Sequence, residues 1–436
     1  MGKRHRNIPV MLSVMAALAF LSVAATGQEL ERDSCSSPDT NPYRRIRLYR
    51  PDRGPTRNLA WLDNSSCAPI PEIDRQVEEF LSLYSIAGAS LAVMRNDSLL
   101  YVKGYGMADR ENGIPMQPCN TMRIASVSKL VTAIGIMKLQ ETGLLKLSDK
   151  VFGPEGILGD EDYAQRLRDT SAERITVEDL LRHKGGFGHR GGDPMFRTGA
   201  IDGKEVVRKE LSKRLAFAPG TSQRYSNVGY YILSLVIEKV TGEKYEKWMQ
   251  DNILRPSQCY SFRIGGNYPE QKGWNEAIYY MHPGSQLCHD FHADGKMREA
   301  CYGGNNVSGL LGAGAWTASA PELCRLVAGI DYDLGVWDLL SERSVDDMTE
   351  YFDSQTYSLG WNDTDRYGVW TRTGSFSGTT AIIRYFTLDG DCWVLLTNTS
   401  TWLGPHIASK TSAMIRRMRS QCLHLLSTER NLFYEE

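Results

Sequence analysis

Strand-like segments occur at both ends of the globular part of this chain, and a long helical region separates them. Two apolar runs, Ala89–Arg95 and Ser98–Gly104, are joined by Asn96-Asp97, a pair typical of a tight hairpin turn. Three further strand-like runs lie in the C-terminal third, at Gly368–Thr373, Thr379–Thr387 and Cys392–Asn398. This order predicts an α/β (α+β) protein, in which helices flank an antiparallel five-stranded sheet built from both chain ends. It also predicts an inserted all-helical sub-domain at about residues 143–330.

The helical segments indicate where the core lies. Met122–Thr142 is apolar on nearly all sides, which is typical of a helix buried within a core. Asn227–Thr241 predicts a second strong helix, and Gly242 supplies its C-cap. Ser319–Glu322 has the pattern of a capping box that begins another helix. A last helix is expected at about His406–Leu425.

The N-terminus has the features of an export signal. A cationic start is followed by a charge-free apolar run from Ile8 to Ala25 and by small residues, so residues 1–27 are interpreted as a signal peptide. The alternative is an uncleaved membrane anchor, since the run is about long enough to span a bilayer. The remaining boundaries are an arm or linker at 28–70, a catalytic domain at 71–425 and a tail at 426–436. The protein is therefore expected to be secreted or extracytoplasmic.

The charge balance bears on possible partners, and the cysteines bear on possible disulfides. Fifty Lys and Arg oppose 52 Asp and Glu, and this balance argues against a nucleic-acid partner. All nine cysteines lie outside the predicted signal, and an odd number leaves at least one thiol free. Cys288 and Cys301 are the first disulfide candidate, Cys35 and Cys67 could tie the arm, and Cys392 fits a buried small hydrophobe. N-glycosylation sequons, which matter only in a host that glycosylates secreted proteins, occur at Asn64, Asn96, Asn306, Asn362 and Asn398.

Ser126-Val-Ser-Lys129 is the only Ser-x-x-Lys in the chain, and it opens the apolar helix. Residues three apart share a helical face, so the Ser126 hydroxyl and the Lys129 ammonium could approach each other. A lysine accepts the proton of a serine only if burial in a cationic site lowers its pKa. Taken alone, the motif favours the simpler interpretation of a serine at a helix start followed by a solvated lysine.

Two later segments could complete a site. Tyr225-Ser-Asn227 precedes a strong helix. Tyr225 could relay protons, and the side-chain amide of Asn227 could hydrogen-bond Lys129 or a substrate. An ordinary aromatic and a helix N-cap would explain the same residues. Arg372-Thr373-Gly374 lies near the end of a strand, where the arginine could bind a carboxylate or could simply be a surface residue.

In this order the three motifs resemble those of the serine β-lactamase-like family, which comprises class C β-lactamases, penicillin-binding D,D-peptidases and esterases of the same fold. The segments Gly104–Asp109, Val177–His183, Ala218–Gly220 and Gly312–Thr317 are similar to the family's flanking sequences. The resemblance covers about residues 72–425. It implies a β-lactamase/transpeptidase-like fold.

The resemblance also implies roles for individual residues. Ser126 would form an acyl-enzyme. Lys129 and Tyr225 would move protons. The backbone N–H groups of Ser126 and Ser375 would form the oxyanion hole. The substrate-binding residues would be Asn227, Arg372, Thr373 and Gly374. Arg372 departs from the family's usual Lys or His, and an arginine cannot donate its proton at neutral pH, although it could still anchor a carboxylate.

The sequence therefore predicts a secreted serine hydrolase that acts on a small ester, amide or peptide without a cofactor or metal. The alternative is a non-catalytic binding or assembly protein that retains the fold. The loop Asn267–Gly304 would wall the pocket. Its histidines and cysteines could hold a metal, but their spacing matches no standard site. His183 is expected to be structural.

Overall fold

The computed structural model describes residues 56–188, 192–196, 202–333, 336, 338–351, 357–428 and 430–434. The predicted signal peptide 1–27, most of the arm 28–70 and Cys35 lie outside these residues. Within the described ranges, no helix combines the length and the apolar character needed to cross a membrane.

The order of elements follows the predicted one, with strands at both ends and helices between them. The helices are α1 Pro71–Tyr84, α2 Ser128–Glu141, α3 Val177–Leu181, α4 Gly203–Leu211, α5 Asn227–Thr241, α6 Tyr245–Met249, α7 Ala320–Val327, α8 Glu342–Thr349 and α9 Ile407–Cys422. The strands are β1 Gly88–Arg95, β2 Ser98–Asp109, β3 Ile114–Pro115, β4 Met122–Arg123, β5 Arg263–Ile264, β6 Cys288–His289, β7 Met297–Arg298, β8 Trp316–Ala318, β9 Asp363–Thr364, β10 Val369–Phe376, β11 Thr379–Phe386 and β12 Asp391–Thr397.

The main sheet joins the two ends of the chain, as the sequence predicts. Its order is β3-β2-β1-β12-β11-β10-β9, with every pair antiparallel, and β1 meets β12 in the register Ala89 opposite Thr397. Five long strands form its body, and the two-residue strands β3 and β9 extend its edges. Asn96 and Asp97 both have positive φ, 46° and 55°, which closes the predicted tight turn between β1 and β2.

Helices cover both faces of this sheet. On one face α1 and α9 pack their apolar stripes, including Ile73, Val77, Ile415 and Met418, against the strands. On the other face a larger core encloses α2 and α5. The sheet is therefore buried on both sides.

The predicted helix at 122–142 begins later than expected. Residues 122–123 pair with β8 as strand β4, a 3₁₀ turn follows at Ala125–Val127, and α2 starts at Ser128. Ala125 has φ of 46°, a left-handed conformation that interrupts a helical path. Ser126 consequently lies in a turn before the helix and not in its first turn.

Two predictions for the middle of the chain are wrong. The inserted region is not all-helical, because β4, β8 and β5 form a small sheet and β6 pairs with β7. Cys288 and Cys301 are both free: Cys288 pairs with Arg298 across the β6–β7 hairpin, and the Cys301 thiol donates to the Tyr279 carbonyl. Cys392 is fully buried, as expected.

Segments beyond both predicted domain boundaries belong to the packed body. Leu59 and Leu62, from the predicted arm, and Leu432 and Phe433, from the predicted tail, are all buried in the larger core. Backbone hydrogen bonds from Arg57 to Phe433 and from Leu432 to Leu99 tie these segments together. The packed body therefore extends at both ends past residues 71–425.

The sequons differ in their availability for glycosylation. Asn398 is fully buried, and its Nδ2 donates to the carbonyls of Met107 and Ile278. The Nδ2 of Asn64 donates to the Met116 carbonyl. A glycan on either nitrogen would break these hydrogen bonds, whereas Asn96 is exposed in its hairpin turn.

We expect Ile134→Ala to lower the free energy of unfolding by about 2–5 kcal/mol, because it opens a cavity in the packed core. Ile134 lies in α2 and is fully buried. Urea titration followed by circular dichroism measures the change. The control Leu388→Ala removes a side chain that is 85% exposed, and should stay within about 0.5 kcal/mol of the parent. A similar loss in both variants would contradict this description of the core.

Candidate active site

The first motif lies at the edge of a cavity. Ser126 occupies the 3₁₀ turn Ala125–Val127, directly after the left-handed Ala125. A positive φ at an alanine costs free energy, and such strain is common where a reactive side chain is presented. The turn leaves Ser126 partly exposed while α2 continues into the core.

Lys129 is fully buried one turn below Ser126. Its Nζ lies 3.3 Å from Ser126 Oγ, 2.7 Å from Asn227 Oδ1 and 2.5 Å from the carbonyl oxygen of Ala313. Burial, and then the positive charge of Arg372, hold the pKa of Lys129 well below its usual range. Because a lowered pKa favours the neutral amine, this lysine is suited to accept a proton.

Tyr225 lies against the same hydroxyl. Its phenol donates to Ser126 Oγ over 2.6 Å, and burial raises its pKa while Arg372 opposes the rise. His183 holds the segment in place, because its Nδ1 accepts from the Ser226 N–H at 3.1 Å and its ring lies 4.5 Å from that of Tyr225. This hydrogen bond links His183 to the second motif, and its structural role stays a prediction.

The helix cap and the amide of the second motif are separate residues. Ser226, not Asn227, is the N-cap of α5, since its side chain accepts from the Gly229 N–H. The side chain of Asn227 is therefore available to Lys129. Its Nδ2 donates to Asp193 Oδ2 at 3.0 Å, so Asp193 orients the amide with Oδ1 towards the lysine.

Strand β10 brings the third motif beside the nucleophile. A Cβ on Gly374 would lie 2.2 Å from the Ile124 carbonyl oxygen and 2.9 Å from the Ser126 nitrogen, so only glycine fits this contact. The N–H of Thr373 points away from β11 and donates to Asn362 Oδ1 at 2.6 Å. Because N–H groups alternate along an antiparallel strand, that of Ser375 faces the same side, where Ser375 lines the cavity. The position suits an oxyanion donor together with the Ser126 N–H.

Arg372 does not face the cavity, contrary to the expectation that it anchors a substrate carboxylate. It is fully buried, and its Nε and Nη2 both donate to the Ser126 carbonyl oxygen, at 2.8 and 2.5 Å. Its positive charge also opposes the rise in the pKa of Tyr225. In β10, Arg372 alternates with Thr373 and so projects from the opposite face of the strand. Arg372 therefore holds the backbone of the turn at Ser126 and places a positive charge beside it.

The cavity beside Ser126 has a volume of about 270 Å³. Its polar lining residues are Ser126, Tyr225, Asn227, Asn362, Thr373 and Ser375. The other described lining residues are Ala125, Phe196, Leu310, Ala313, Gly314, Phe376, Pro405 and Ala408, none of which has a polar side chain. Among the described residues, no charged side chain lines this cavity, and no group of His, Cys, Asp and Glu could hold a metal ion.

The sequence predicts most of this arrangement but gives no indication of Asp193, Asn362 or the two cavity phenylalanines, Phe196 and Phe376. Asp193 and Phe196 follow a glycine-rich segment that carries no motif, and Asn362 was noted only as a sequon. The Asn362 side chain accepts from both the Thr373 N–H and its hydroxyl, at 2.6 and 3.2 Å. A polar residue shortly before the third motif is the one signal that could have indicated it.

Comparison with known proteins agrees with this geometry. Residues 73–413 match the family model described as Beta-lactamase. The match covers more than half of the chain, and the chain therefore belongs to the beta-lactamase family.

Individual relatives share only part of their sequence with this chain. The chain is 32% identical over 196 residues to the esterase EstB of Burkholderia gladioli, covering 42% of this chain and 47% of that protein. It is 28% identical over 221 residues to protein flp of Staphylococcus aureus strain N315, covering 49% and 42%. The chain thus spans less than half the length of these two relatives. The solved structure of a D-amino acid amidase from Ochrobactrum anthropi shares the fold, with a TM-score of 0.64 and 20% identity over 80% of this chain and 98% of that one.

Arg372→Gln should move the acid limb of the kcat/KM profile to higher pH. Arg372 lowers the pKa of Lys129, so its removal raises that pKa and keeps the lysine protonated over a wider range. Loss of the hydrogen bonds to the Ser126 carbonyl oxygen would let the turn shift, and misplacement of Ser126 by about 1 Å would reduce kcat about 100-fold. Arg372→Lys keeps the charge and should shift the limb less. An unmoved limb in a folded Arg372→Gln protein would refute this role.

Gly374→Ala should reduce kcat by about 100-fold or more, because the new Cβ forces β10 away from Ser126 and displaces one donor to the oxyanion. Steady-state kinetics on an activated ester measures the loss. The matched control is Gly229→Ala in α5, where a Cβ meets no atom closer than 3.6 Å. Full activity in Gly374→Ala would show that the contact between β10 and the turn is dispensable.

Proposed function

We propose that this protein is a serine hydrolase that acts on a small ester or amide through an acyl-enzyme at Ser126. The observation that carries the proposal is the convergence on Ser126 Oγ, which lies 2.6 Å from the Tyr225 phenol and 3.3 Å from Lys129 Nζ. A serine hydroxyl becomes an effective nucleophile only when such a neighbour takes its proton.

The residues account for each step of acyl transfer. Neutral Lys129, assisted by Tyr225, removes the proton of Ser126 as Oγ bonds to the acyl carbon. The resulting oxyanion lies against the N–H groups of Ser126 and Ser375. The carbon–oxygen or carbon–nitrogen bond then breaks, and the leaving group takes the proton through Tyr225. A water molecule then gives a proton to the same pair as its oxygen bonds to the acyl carbon. The pair returns this proton to Ser126 Oγ as the bond between Oγ and the acyl carbon breaks, which releases the acid.

The relatives support an ester or an amide as the reacting group. EstB is described as an esterase, and the Ochrobactrum protein as an amidase. Arg372 holds the backbone of Ser126 in the same way whether the substrate is an ester or an amide. Among the candidate activities, the geometry favours general ester or amide hydrolysis, because Arg372 is not directed at a carboxylate of the kind that β-lactams carry.

We also propose that the protein works outside the cytoplasm. The support is the charge-free apolar run from Ile8 to Ala25 and the small residues that follow it. N-terminal sequencing of secreted material tests this, and an intact Met1 would contradict removal of residues 1–27.

Ser126→Ala should abolish covalent labelling by a fluorophosphonate probe, because the probe reacts with an activated serine. Intact-protein mass spectrometry measures the added mass. Ser98→Ala, in the β1–β2 hairpin, changes a serine far from the cavity and should be labelled like the parent. Equal labelling of the parent and Ser126→Ala would show that Ser126 is not the nucleophile. An unlabelled parent, inert towards esters and amides, would favour a binding protein of the same fold.

A further inference from the structure

The substrate class follows from what the cavity offers beyond the reacting groups. Both cations that the sequence placed in the site are fully buried and already partnered. Lys129 meets three acceptors, and Arg372 donates to the Ser126 carbonyl. Neither is available to a carboxylate of the substrate, and no other described cation lines the cavity.

A carboxylate of the protein lies behind this polar lining. Asp193 Oδ2 lies 3.0 Å from the Nδ2 of Asn227, and Asn227 itself lines the cavity. Among the described residues, a carboxylate brought into this space would meet no cation in the lining, and it would lie near a group of the same charge. Burial of an unpaired charge is costly, so the arrangement disfavours anionic substrates.

Part of the lining is suited to an apolar group. The rings of Phe196 and Phe376 lie 5.7 Å apart at an angle of 55°, and Leu310, Pro405 and Ala408 also line the cavity. Aromatic rings at such distances and angles pack favourably against a further ring. A cavity of about 150 Å³ accommodates benzene, so the volume of about 270 Å³ found here suffices for a phenyl group and the reacting carbonyl.

We propose that the cavity selects uncharged esters or amides that carry one aromatic or branched aliphatic group, and rejects those that carry a carboxylate. Phe196 and Phe376 are its specificity-determining residues. This inference rests on the proposed function, since it concerns the substrate of the same Ser126.

Two matched pairs of esters test the selection by charge. One pair places the charge on the acyl side: the 4-nitrophenyl esters of 4-carbamoylphenylacetic acid and 4-carboxyphenylacetic acid. The other places it on the leaving group: the phenylacetyl esters of 4-hydroxybenzamide and 4-hydroxybenzoate. After division by the uncatalysed rate, kcat/KM should favour the neutral member at least about tenfold in both pairs. A charged member hydrolysed equally well or better would overturn the proposal.

A cation introduced into the wall should weaken or abolish this preference. Ala408 lines the cavity at the start of α9, so Ala408→Lys places an ammonium there, and Ala408→Met is a neutral control of similar length. We expect the ratio of charged to neutral kcat/KM to rise about tenfold in the lysine variant alone, because the ammonium pairs with the carboxylate. An unchanged ratio in a folded Ala408→Lys protein would count against selection by charge.

The aromatic wall has its own measurement. In Phe196→Ala and Phe376→Ala, the preference for a phenylacetyl ester over an acetyl ester should fall about tenfold, because the ring loses its packing partner. Tyr367→Ala removes an aromatic residue that is 65% exposed and does not line the cavity, and should leave the preference unchanged. An unaltered preference in both phenylalanine variants would overturn their assignment.

These outcomes are separable from failure of the proposed function. If the parent is inert towards every ester and is not labelled by the fluorophosphonate, the serine hydrolase proposal fails. If it is labelled through Ser126 and hydrolyses the carboxylate esters best, only the substrate inference fails.

Discussion

The contact between β10 and the turn Ala125–Val127 positions the candidate catalytic groups. Gly374 lets the backbone of β10 approach the Ser126 nitrogen, and the guanidinium of Arg372 reaches the Ser126 carbonyl from the same strand. One side of the turn is thereby held by hydrogen bonds while the other faces the cavity. The left-handed Ala125 is maintained because these contacts and the buried α2 fix the chain before and after it.

The same contact determines the electrostatics of the site. The positive charge of Arg372 lies close enough to lower the pKa values of both Lys129 and Tyr225. Burial lowers the first and raises the second. A neutral amine beside a phenol, both within reach of one hydroxyl, is an arrangement in which protons can move without creating an unpaired buried charge.

Arg372 stands where the family usually has Lys or His. A cation at this position could both supply a positive charge and bind the substrate, and Arg372 separates these two roles. The charge stays in the site, where it acts on Lys129 and Tyr225. The hydrogen bonds of the guanidinium, however, go to the backbone of Ser126 and so leave the cavity without a described cation. This allocation, together with the aromatic wall of Phe196 and Phe376, gives the site a polar reacting side and an apolar binding side.

The sequence by itself determined the hairpin, the long strands, the buried α2 and the order of the motifs. Each of these is encoded over a few neighbouring residues, as turn chemistry, apolar periodicity or motif spacing. Only the tertiary structure decided where Arg372 points, that Asp193 orients Asn227, and that Asn362 and the two phenylalanines belong to the cavity. The partners Arg372 and Ser126 are 246 residues apart. A direction set by packing between such distant segments leaves no local pattern in the sequence.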